Sequence, residues 1–349
     1  MKKIKIISHI QYTLFLLVFV LLSACGNKSG DDEAGQTKTL KLTFQSSENS
    51  GSYIYVEQER WAARVAELTQ GQIRITMVPV EAIVKHSETL EAISAGFLDG
   101  HITASGYFSG KDPAFGLLGN TVGAWSQPEE MLRFIEEGGG RELYDELLTP
   151  YGVKFIGAIT TGLEALVSKV PINGVADLKG LKIRAPEGLV QSVFSAAGAS
   201  PVNLPSSEVY TSLDKGLIDA ADYTVFSVNH QQGMHDIAAH PVYPGFHSVP
   251  SIDVSMNLKK WSALSSEQQT LLQQSVKEMS DSMLEILRQR DEAAVAEAKA
   301  SGKITVHDWS AEEREKFRMI AQNEWLKFAE KSASARKVYD TLVAWFEKQ

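Results

Sequence analysis

An arginine at the end of a short predicted strand is the strongest candidate for a binding residue. Residues 177–186 read Asp-Leu-Lys-Gly-Leu-Lys-Ile-Arg-Ala-Pro, which predicts a turn and then a strand that ends at Arg184, before Pro186. The guanidinium group is planar and stays charged where water is excluded, so it can bind a carboxylate through two parallel hydrogen bonds. The alternative is that Arg184 forms an ordinary surface salt bridge, as arginines at strand ends often do.

The sequence gives little support for catalysis. It lacks a G-x-S-x-G elbow, an H-E-x-x-H motif, a G-x-G-x-x-G loop and a P-loop. Scattered carboxylates could include an acid–base pair, but in an acidic chain such groups are usually solvated. Four histidines lie close together in a loop-rich stretch, yet their spacing matches no structural zinc pattern, which favours surface or capping roles. The acids in question are Asp112, Glu164, Asp222 and Asp253, and the histidines are His230, His235, His240 and His247.

The N-terminal segment is typical of an export signal. Three lysines lie within the first five residues, and the apolar run 14–22 that follows is too short to span a bilayer as a finished helix. The run ends in Leu-Ser-Ala-Cys, which resembles a bacterial lipoprotein signal and implies that Cys25 carries lipid after residues 1–24 are removed. The alternative is an ordinary signal peptide with a cysteine near its cleavage site. Residues 25–38 are polar and glycine-containing, which predicts a flexible tether.

Composition limits the classes of function. The 349-residue chain has 34 lysines and arginines against 43 acids, a net charge of −9, and loss of the three signal lysines makes the mature charge −12. So acidic a protein is a poor candidate for nucleic-acid binding, which depends on neutralising phosphates. Cys25 is the only cysteine, so no disulfide is available, and no second apolar run approaches transmembrane length. We expect a soluble body of two domains.

Hydrophobic periodicity predicts alternating strands and helices. Apolar and polar residues alternate at 40–44 and 73–77, which indicates half-buried strands, and a third short strand is predicted at 101–104. Helices are predicted between these strands, at 61–68 and 87–95, and Pro128 begins another. Strands that alternate with helices imply an α/β fold with mostly parallel sheets.

One internal similarity suggests two equivalent lobes. A Ser-Glu start, a helix and a Gly-apolar-apolar-Asp turn occur at 87–100 and, with the same spacing, at 207–220. If the segments are equivalent, the loops 105–107 and 222–224 lie at carboxyl ends of strands, where open α/β sheets bind ligands. Two unrelated helix-to-strand turns could also look alike.

The C-terminal third is predicted to be helical. Ser265 and Gln268 have capping-box spacing and begin a helix that should run from about 267 to 300. Such a helix is ~50 Å long, longer than one lobe, so it must bridge both lobes or reach a second subunit. A short strand at 304–306 and a second capped helix from Ser310 are expected to follow.

Five segments together resemble a known family: 177–184, 198–202, 207–220, 110–115 and 243–247. The first three resemble the DctP-type solute receptors of TRAP transporters (tripartite ATP-independent periplasmic transporters). The last two look like the branch of that family that binds 2-oxo acids and related hydroxy acids. The resemblance implies an α/β, two-lobed fold of the class II periplasmic-binding-protein type with long C-terminal helices.

The resemblance also implies a receptor that closes on an organic anion, whose carboxylate pairs with Arg184. Asp222 and Tyr223 are similar to a pair that coordinates a cation, Ca²⁺ or Na⁺, beside the ligand in the 2-oxo-acid branch. Glu164 would join them, and Tyr223 would supply its backbone carbonyl, because a hard cation prefers oxygen ligands. The alternative for Asp222 is a capping or surface acid. The further ligand-binding residues are Tyr107, Phe226 and His247, of which Tyr107 and Phe226 could equally be plain core.

The ligand is expected to be a monocarboxylate. Residues 157–162 lack the extra arginine associated with C4-dicarboxylate receptors, so a second carboxylate would be left desolvated and unpaired. This favours a 2-oxo acid, a 2-hydroxy acid or an aromatic acid. The alternatives are a C4-dicarboxylate or sugar-acid receptor of the same family, a receptor that feeds a signalling partner, or a periplasmic hydrolase that uses the histidine-rich stretch.

The expected organisation places a membrane-anchored receptor at the periplasmic face, with hinges near Thr161 and Pro250. Its expected partners are the membrane subunits of a TRAP permease, the membrane itself through lipid on Cys25 and, through the long helix, a second copy of the chain. The expected divisions are a signal peptide (1–24), a tether (25–38), a first lobe with the bridging helix (39–160 and 251–300) and a second lobe with the C-terminal helices (161–250 and 301–349).

Overall fold

The computed structural model describes residues 39–349, so the predicted signal peptide, Cys25 and the tether lie outside the described residues. The strands are β1 (Leu40–Ser46), β2 (Ile73–Val78), β3 (Gly100–Ala104), β4 (Val153–Ile159), β5 (Ala165–Ser168), β6 (Lys182–Arg184), β7 (Ser200–Val202), β8 (Ala220–Thr224) and β9 (Ile252–Asn257). The helices are α1 (Tyr53–Leu68), α2 (Thr89–Ala95), α3 (Pro113–Gly119), α4 (Pro128–Glu137), α5 (Gly140–Leu148), α6 (Leu189–Ala196), α7 (Val209–Asp214), α8 (Phe226–Gln231), α9 (Met234–Ile237), α10 (Leu258–Ser262), α11 (Ser266–Ser301), α12 (Ala311–Ala329) and α13 (Ala333–Phe346).

The strands form two mixed sheets. The first has the order β2-β1-β3-β9-β4 and the second the order β5-β8-β6-β7. The prediction of mostly parallel sheets is wrong at two strands, because β9 runs antiparallel to β3 and β4, and β5 runs antiparallel to β8. Both strands follow segments in which the chain crosses from one sheet to the other. The crossing segments contain the two predicted hinge residues, Thr161 and Pro250.

The internal similarity corresponds to the same supersecondary unit in each sheet. Gly96 and Gly216 end equivalent helical segments with φ of 81° and 70°, a conformation that glycine adopts without strain. Asp99 then accepts a hydrogen bond from the backbone of β1, and Asp219 accepts one from Lys182 at the start of β6. The two units therefore deliver β3 and β8 to equivalent central positions, so that their carboxyl ends face a common crevice.

The long helix α11 bridges both sheets within one chain. Its 36 residues span ~54 Å, and Ser265 forms the predicted capping box with Gln268. On the side of the first sheet, Ser275 accepts a 2.9 Å hydrogen bond from the indole of Trp61. On the side of the second sheet, Asp291 accepts one of 2.7 Å from the backbone N–H of Ser227.

The last two helices contact both lobes and not the second lobe alone. Glu313, at the start of α12, accepts a 2.8 Å hydrogen bond from the backbone N–H of Val175, which precedes the second sheet's β6. Farther along α12, the indole of Trp325 donates to the carbonyl of Val122, which follows α3. Segment 301–349 therefore contacts residues of both expected lobes.

Segment 304–306 is extended but is not part of either sheet, so the strand predicted there is wrong. Thr305 and His307 donate backbone hydrogen bonds to the carbonyls of Ala239 and Pro241, which leaves one isolated bridge between Val242 and His307. Among residues 39–349, no helix is both long enough and apolar enough to cross a bilayer.

Candidate ligand-binding site

A cavity of about 50 Å³ lies where strands of the two sheets end. Its walls come from the carboxyl-terminal parts of β3, β6 and β8, from the loops after β3 and β6, from α3 and α6, and from the two segments that cross between the sheets. Arg184 is the only basic residue among them, so the cavity offers one positive charge to a ligand. The lining residues are Ala104, Gly106, Tyr107, Gly116, Gly119, Asn120, Glu164, Arg184, Pro186, Glu187, Leu189, Val190, Asp222, Tyr223 and Pro250.

Arg184 is buried and held in place by backbone carbonyls. Its side chain is 2% exposed, Nε donates to the carbonyl of Leu204 at 3.0 Å, and Nη1 donates to the carbonyl of Asp222 at 2.6 Å. Within residues 39–349 no carboxylate lies within salt-bridge distance of the guanidinium, so the surface-salt-bridge alternative is wrong. A buried cation that is fixed by neutral groups is suited to binding an anion that enters the cavity.

Two carboxylates and a histidine form a buried cluster beside Arg184. One ligand atom from each of Glu164, Asp222 and His247 lies within 4.8 Å of the other two. His247 Nε2 lies 2.9 Å from Asp222 Oδ1, and the hydroxyl of Ser248 donates to Glu164. Asp222 is therefore neither a surface acid nor a helix cap.

The pKa values of the two carboxyl groups in the cluster are shifted in opposite directions. Burial, and then the charge of Asp222, raises the pKa of Glu164 well above its usual value. Burial would also raise the pKa of Asp222, but His247 and Arg184 outweigh it and lower that pKa. The site thus holds one firmly ionised carboxylate beside a second that ionises with difficulty in the absence of further positive charge.

The donor atoms of this cluster fit a hard cation. Glu164 and Asp222 supply carboxylate oxygens, and the Asn120 amide oxygen in the cavity wall is buried without a hydrogen-bond partner in the described chain. Ca²⁺ and Na⁺ favour such oxygen ligands. The sequence did not indicate Asn120, because a single asparagine after a short helix has no distinctive pattern; its Nδ2 donates to Ser248 at 2.6 Å.

His247 is positioned as a support for Asp222. Its Nε2 lies at hydrogen-bond distance from the Asp222 carboxylate, and His247 is not among the residues that line the cavity. The ring also packs against Phe194 and Phe246. His247, in the segment that crosses back to the first sheet, thus orients the carboxylate of Asp222 in the second sheet.

Tyr107 and Tyr223 both line the cavity. The ring of Tyr107 packs edge-on against His86 at a centroid distance of 4.6 Å. The hydroxyl of Tyr223 accepts a 3.1 Å hydrogen bond from Asn49 and donates one of 2.8 Å to Gln232. Its side chain is therefore committed to a contact between the lobes, and only its backbone carbonyl is left for the predicted cation.

Phe226 does not line the cavity, so its assignment as a pocket wall is wrong. It is the first residue of α8, and the helical turn directs its ring into the core, where it packs against His235 at 4.4 Å and Tyr243 at 5.3 Å. Phe226 is a core residue, which was the alternative interpretation.

The histidines of the loop-rich stretch occupy separate places. His230 and His235 form one pair with an N–N distance of 3.1 Å, and His240 pairs with His307 at 3.0 Å. His235 and His247 are each 1% exposed, so a surface role is wrong for both. Burial, helped by His230, lowers the pKa of His235 to about 3, which keeps the ring neutral.

Gly245 allows the 243–247 segment to approach the cluster. A Cβ at this position would lie 1.9 Å from the carbonyl oxygen of Glu164. The neighbouring backbone is fixed by a 2.9 Å hydrogen bond from Glu164 N–H to the carbonyl of Ser248. Glycine at position 245 therefore places His247 and Ser248 beside the acids that they contact.

A larger groove of about 1040 Å³ lies between α4 and α11 and extends to the crossing segments at Leu163 and Gly245. Three of its four basic residues form ion pairs: Arg141 with Glu136, Lys277 with Asp281 and Arg288 with Glu285. Because most of its positive charges are already paired and partly exposed, the groove is less suited to binding an organic anion than the smaller cavity.

Two α/β lobes joined by crossing segments, with a buried arginine in the crevice between them, define a two-lobed solute-binding protein of the periplasmic type. The model of the DctP family, described as bacterial extracellular solute-binding protein, family 7, matches residues 44–332. The chain belongs to this family, whose members act as solute receptors and not as enzymes. The hydrolase alternative is thereby excluded.

Relatives support the assignment. The chain is 30% identical over 297 residues to a monocarboxylate 2-oxoacid-binding periplasmic protein of Nostoc, covering 84% of this chain and 80% of the relative. It is 58% identical to a TRAP periplasmic solute-binding protein from Rhodobacter sphaeroides in an apo open structure, with a TM-score of 0.74 and coverage of 88% and 98%. A third protein, from Pseudoalteromonas atlantica with bound sodium and pyruvate, is 24% identical, with a TM-score of 0.79 and coverage of 89% and 95%.

The two lobes are in contact at the crevice, where the Asn49 amide donates a 3.1 Å hydrogen bond to the hydroxyl of Tyr223.

Proposed function

We propose that this TRAP-type receptor captures a monocarboxylate, a 2-oxo or 2-hydroxy acid above all, and delivers it to the membrane subunits of a TRAP permease. The observation that carries the proposal is Arg184, a buried guanidinium held by two carbonyls in the crevice. The ligand carboxylate would pair with the face of the guanidinium that these carbonyls leave open, beside Tyr107.

The preference for a monocarboxylate rests on the charges that line the cavity. Arg184 is the only base there, while Glu164, Glu187 and Asp222 are acids. A second ligand carboxylate would be desolvated without a partner and close to like charges. The 2-oxoacid-binding relative from Nostoc agrees with this preference.

A cation, Ca²⁺ or Na⁺, would bind together with the acid. Glu164 and Asp222 would hold it through carboxylate oxygens, with Asn120 and the carbonyl of Tyr223 as further oxygen ligands. The cation would offset the repulsion between the two acids and provide a positive charge beside the ligand's 2-oxo or 2-hydroxy oxygen. Sodium accompanies pyruvate in the Pseudoalteromonas protein.

Isothermal titration of residues 39–349 with a panel of organic acids tests the function. The panel contains 2-oxo, 2-hydroxy, aromatic, C4-dicarboxylic and sugar acids, each with Ca²⁺, with Na⁺ and with a chelator in a sodium-free buffer. We expect saturable binding of monocarboxylates that is tighter with a cation. Binding of dicarboxylates or sugar acids alone would favour the related receptor classes, and the absence of binding by every acid would contradict the proposal.

Lipid on Cys25 would hold the receptor near its permease, and the polar segment 25–38 would leave the lobes free to close about Thr161 and Pro250. The N-terminal sequence pattern supports this proposal. Expression of the full chain and of a Cys25→Ala variant tests the anchor, because only the unmodified chain should incorporate labelled fatty acid and sediment with membranes. Equal labelling of both would contradict it.

The lobe assignment and the dimer are also proposals. We assign 39–160 with 251–300 to one lobe and 161–250 with 301–349 to the other, and we propose that a second copy associates along the exposed faces of α11. Sedimentation of the soluble body measures the oligomeric state directly. A monomer at concentrations of tens of micromolar would contradict a dimer.

A further inference from the structure

Glu48 lies at the same sheet edge as the cavity. It comes two residues after the end of β1, which pairs in parallel with β3 such that Ser46 is opposite Ile102. This register places Glu48 level with Ala104, a residue of the cavity wall. Adjacent parallel strands end at the same edge, so Glu48 lies at the edge of the first lobe that borders the crevice.

The backbone around Glu48 is fixed. Its N–H donates to the hydroxyl of Ser46, and its carbonyl accepts a hydrogen bond from Val80, each at 2.9 Å. The next residue, Asn49, donates to the hydroxyl of Tyr223 in the other lobe. Glu48 is thus held at the point where the two lobes meet.

The two tyrosines of the cavity wall are close to both Glu48 and Arg184. Besides burial, the charge of Glu48 raises the pKa of both Tyr107 and Tyr223, whereas the charge of Arg184 lowers both. Both tyrosines are therefore near both charges. A ligand whose carboxylate is held by Arg184 and that extends along these rings would point toward Glu48.

The carboxylate of Glu48 has no partner in the part of the chain that the structure describes. It makes no hydrogen bond and no ion pair, and burial alone raises its pKa to about 7. Leaving an acid half-buried without a donor is unfavourable, so a ligand that supplies a donor would relieve this cost.

We propose that Glu48 binds the far end of the ligand, by accepting a hydrogen bond from a hydroxyl or ammonium group of a monocarboxylate whose acid group is held by Arg184. This inference rests on the proposed function and narrows its ligand class. Glu48 acts as a specificity residue in two ways: it favours acids with a distal donor, and it repels a second carboxylate at the same position.

The test compares matched acids that differ only at the far end. For chains of three to six carbons, the unsubstituted acid, the ω-hydroxy acid, the ω-amino acid and the diacid are titrated into the wild type. We expect the hydroxy or amino acid of one chain length to bind about 10- to 100-fold more tightly than the unsubstituted acid and the diacid.

The Glu48→Gln variant should reduce that preference to about threefold or less and should improve binding of the diacid. Glu59→Gln, an exposed glutamate on α1, is the matched control and should keep the wild-type order. Melting temperatures check that the variants fold. Glu48→Asp keeps the charge, so it should still reject the diacid even if Glu48→Gln does not fold.

Each remaining outcome overturns the inference. If the wild type binds all four kinds of acid equally, or if Glu48→Gln keeps the wild-type order, Glu48 does not select the ligand, while acid binding itself still supports the receptor function. If Glu48→Asp accepts the diacid as well as the monoacid, charge repulsion is excluded. If no acid binds the wild type in any panel, the proposed function and this inference both fail.

Discussion

Arg184 and Asp222 are joined by a 2.6 Å hydrogen bond from the guanidinium Nη1 to the backbone carbonyl of Asp222. The carboxylate of the same aspartate belongs to the cluster with Glu164 and His247. The neighbouring strands β6 and β8 thus fix the anion-binding group and the candidate cation-binding group relative to each other. This link implies that a ligand can bind both groups at once, through its carboxylate and an adjacent oxygen.

Replacing Arg184 should abolish tight binding. Arg184→Ala removes the charge that pairs with the ligand carboxylate and should weaken binding by about 100-fold or more; Arg184→Lys keeps a charge but not the planar fork and should cost about 10-fold or more. Isothermal titration measures both effects. Arg336→Lys, an exposed site paired with Asp340, is the control and should bind as the wild type does. Wild-type affinity in Arg184→Ala would remove this residue from the site.

Glu164→Gln should abolish the effect of a cation. Glutamine has a similar shape, but it lacks the negative charge that a hard cation requires. The ratio of affinities with and without Ca²⁺ or Na⁺ should therefore fall to about 1, whereas wild type should show at least about a 10-fold ratio. Glu187→Gln alters another acid of the cavity wall, outside the cluster, and should keep the wild-type ratio. An unchanged ratio in Glu164→Gln would contradict the cation site.

Tyr223→Phe should favour the open receptor. The change removes the hydroxyl that joins Asn49 of one lobe to Gln232 of the other. Because one net hydrogen bond contributes about 0.5–1.5 kcal/mol, the ligand dissociation constant should rise about 2- to 10-fold. Small-angle scattering of the unliganded variant should show a larger radius of gyration. Tyr210→Phe, at a 41% exposed tyrosine, is the control; equal scattering and affinity for Tyr223→Phe and wild type would exclude a role in closure.

Local sequence patterns predicted the strands and helices whose formation depends on residues that are near one another in the sequence. Alternating apolar residues indicated β1 and β2, and the capping box of Ser265 and Gln268 indicated the start of α11. Arg184 could be identified because a strand that ends before a proline fixes where its side chain emerges. These features depend on residues that are close together along the chain.

Features that depend on tertiary contacts could not be predicted in this way. His247 supports Asp222 from 25 residues away, and nothing in the spacing of the histidines distinguishes it from His240. The direction of Phe226 depends on α8 starting at that residue and not one residue later. The antiparallel direction of β9 follows from the return of the chain from the other lobe, which periodicity does not reveal.

His235 should make stability fall in acid. Its pKa is about 3 in the folded protein against an ordinary value of 6.5, because the ring is buried. Between these values the unfolded chain binds a proton that the folded chain does not, so the free energy of unfolding should fall with decreasing pH by up to about 1.4 kcal/mol per unit from this group. Above pH 6.5 both states are neutral at this position, and the contribution is constant.

A pair of variants separates this contribution from that of the other titrating groups. His235→Phe keeps an aromatic ring against Phe226 but binds no proton, so its unfolding free energy should fall less steeply from pH 6.5 to pH 4 than that of the wild type. Urea unfolding at several pH values measures the two slopes. Parallel curves for His235→Phe and wild type would mean that His235 takes up its proton in the folded protein, which would require its burial to be relieved by local opening near His230.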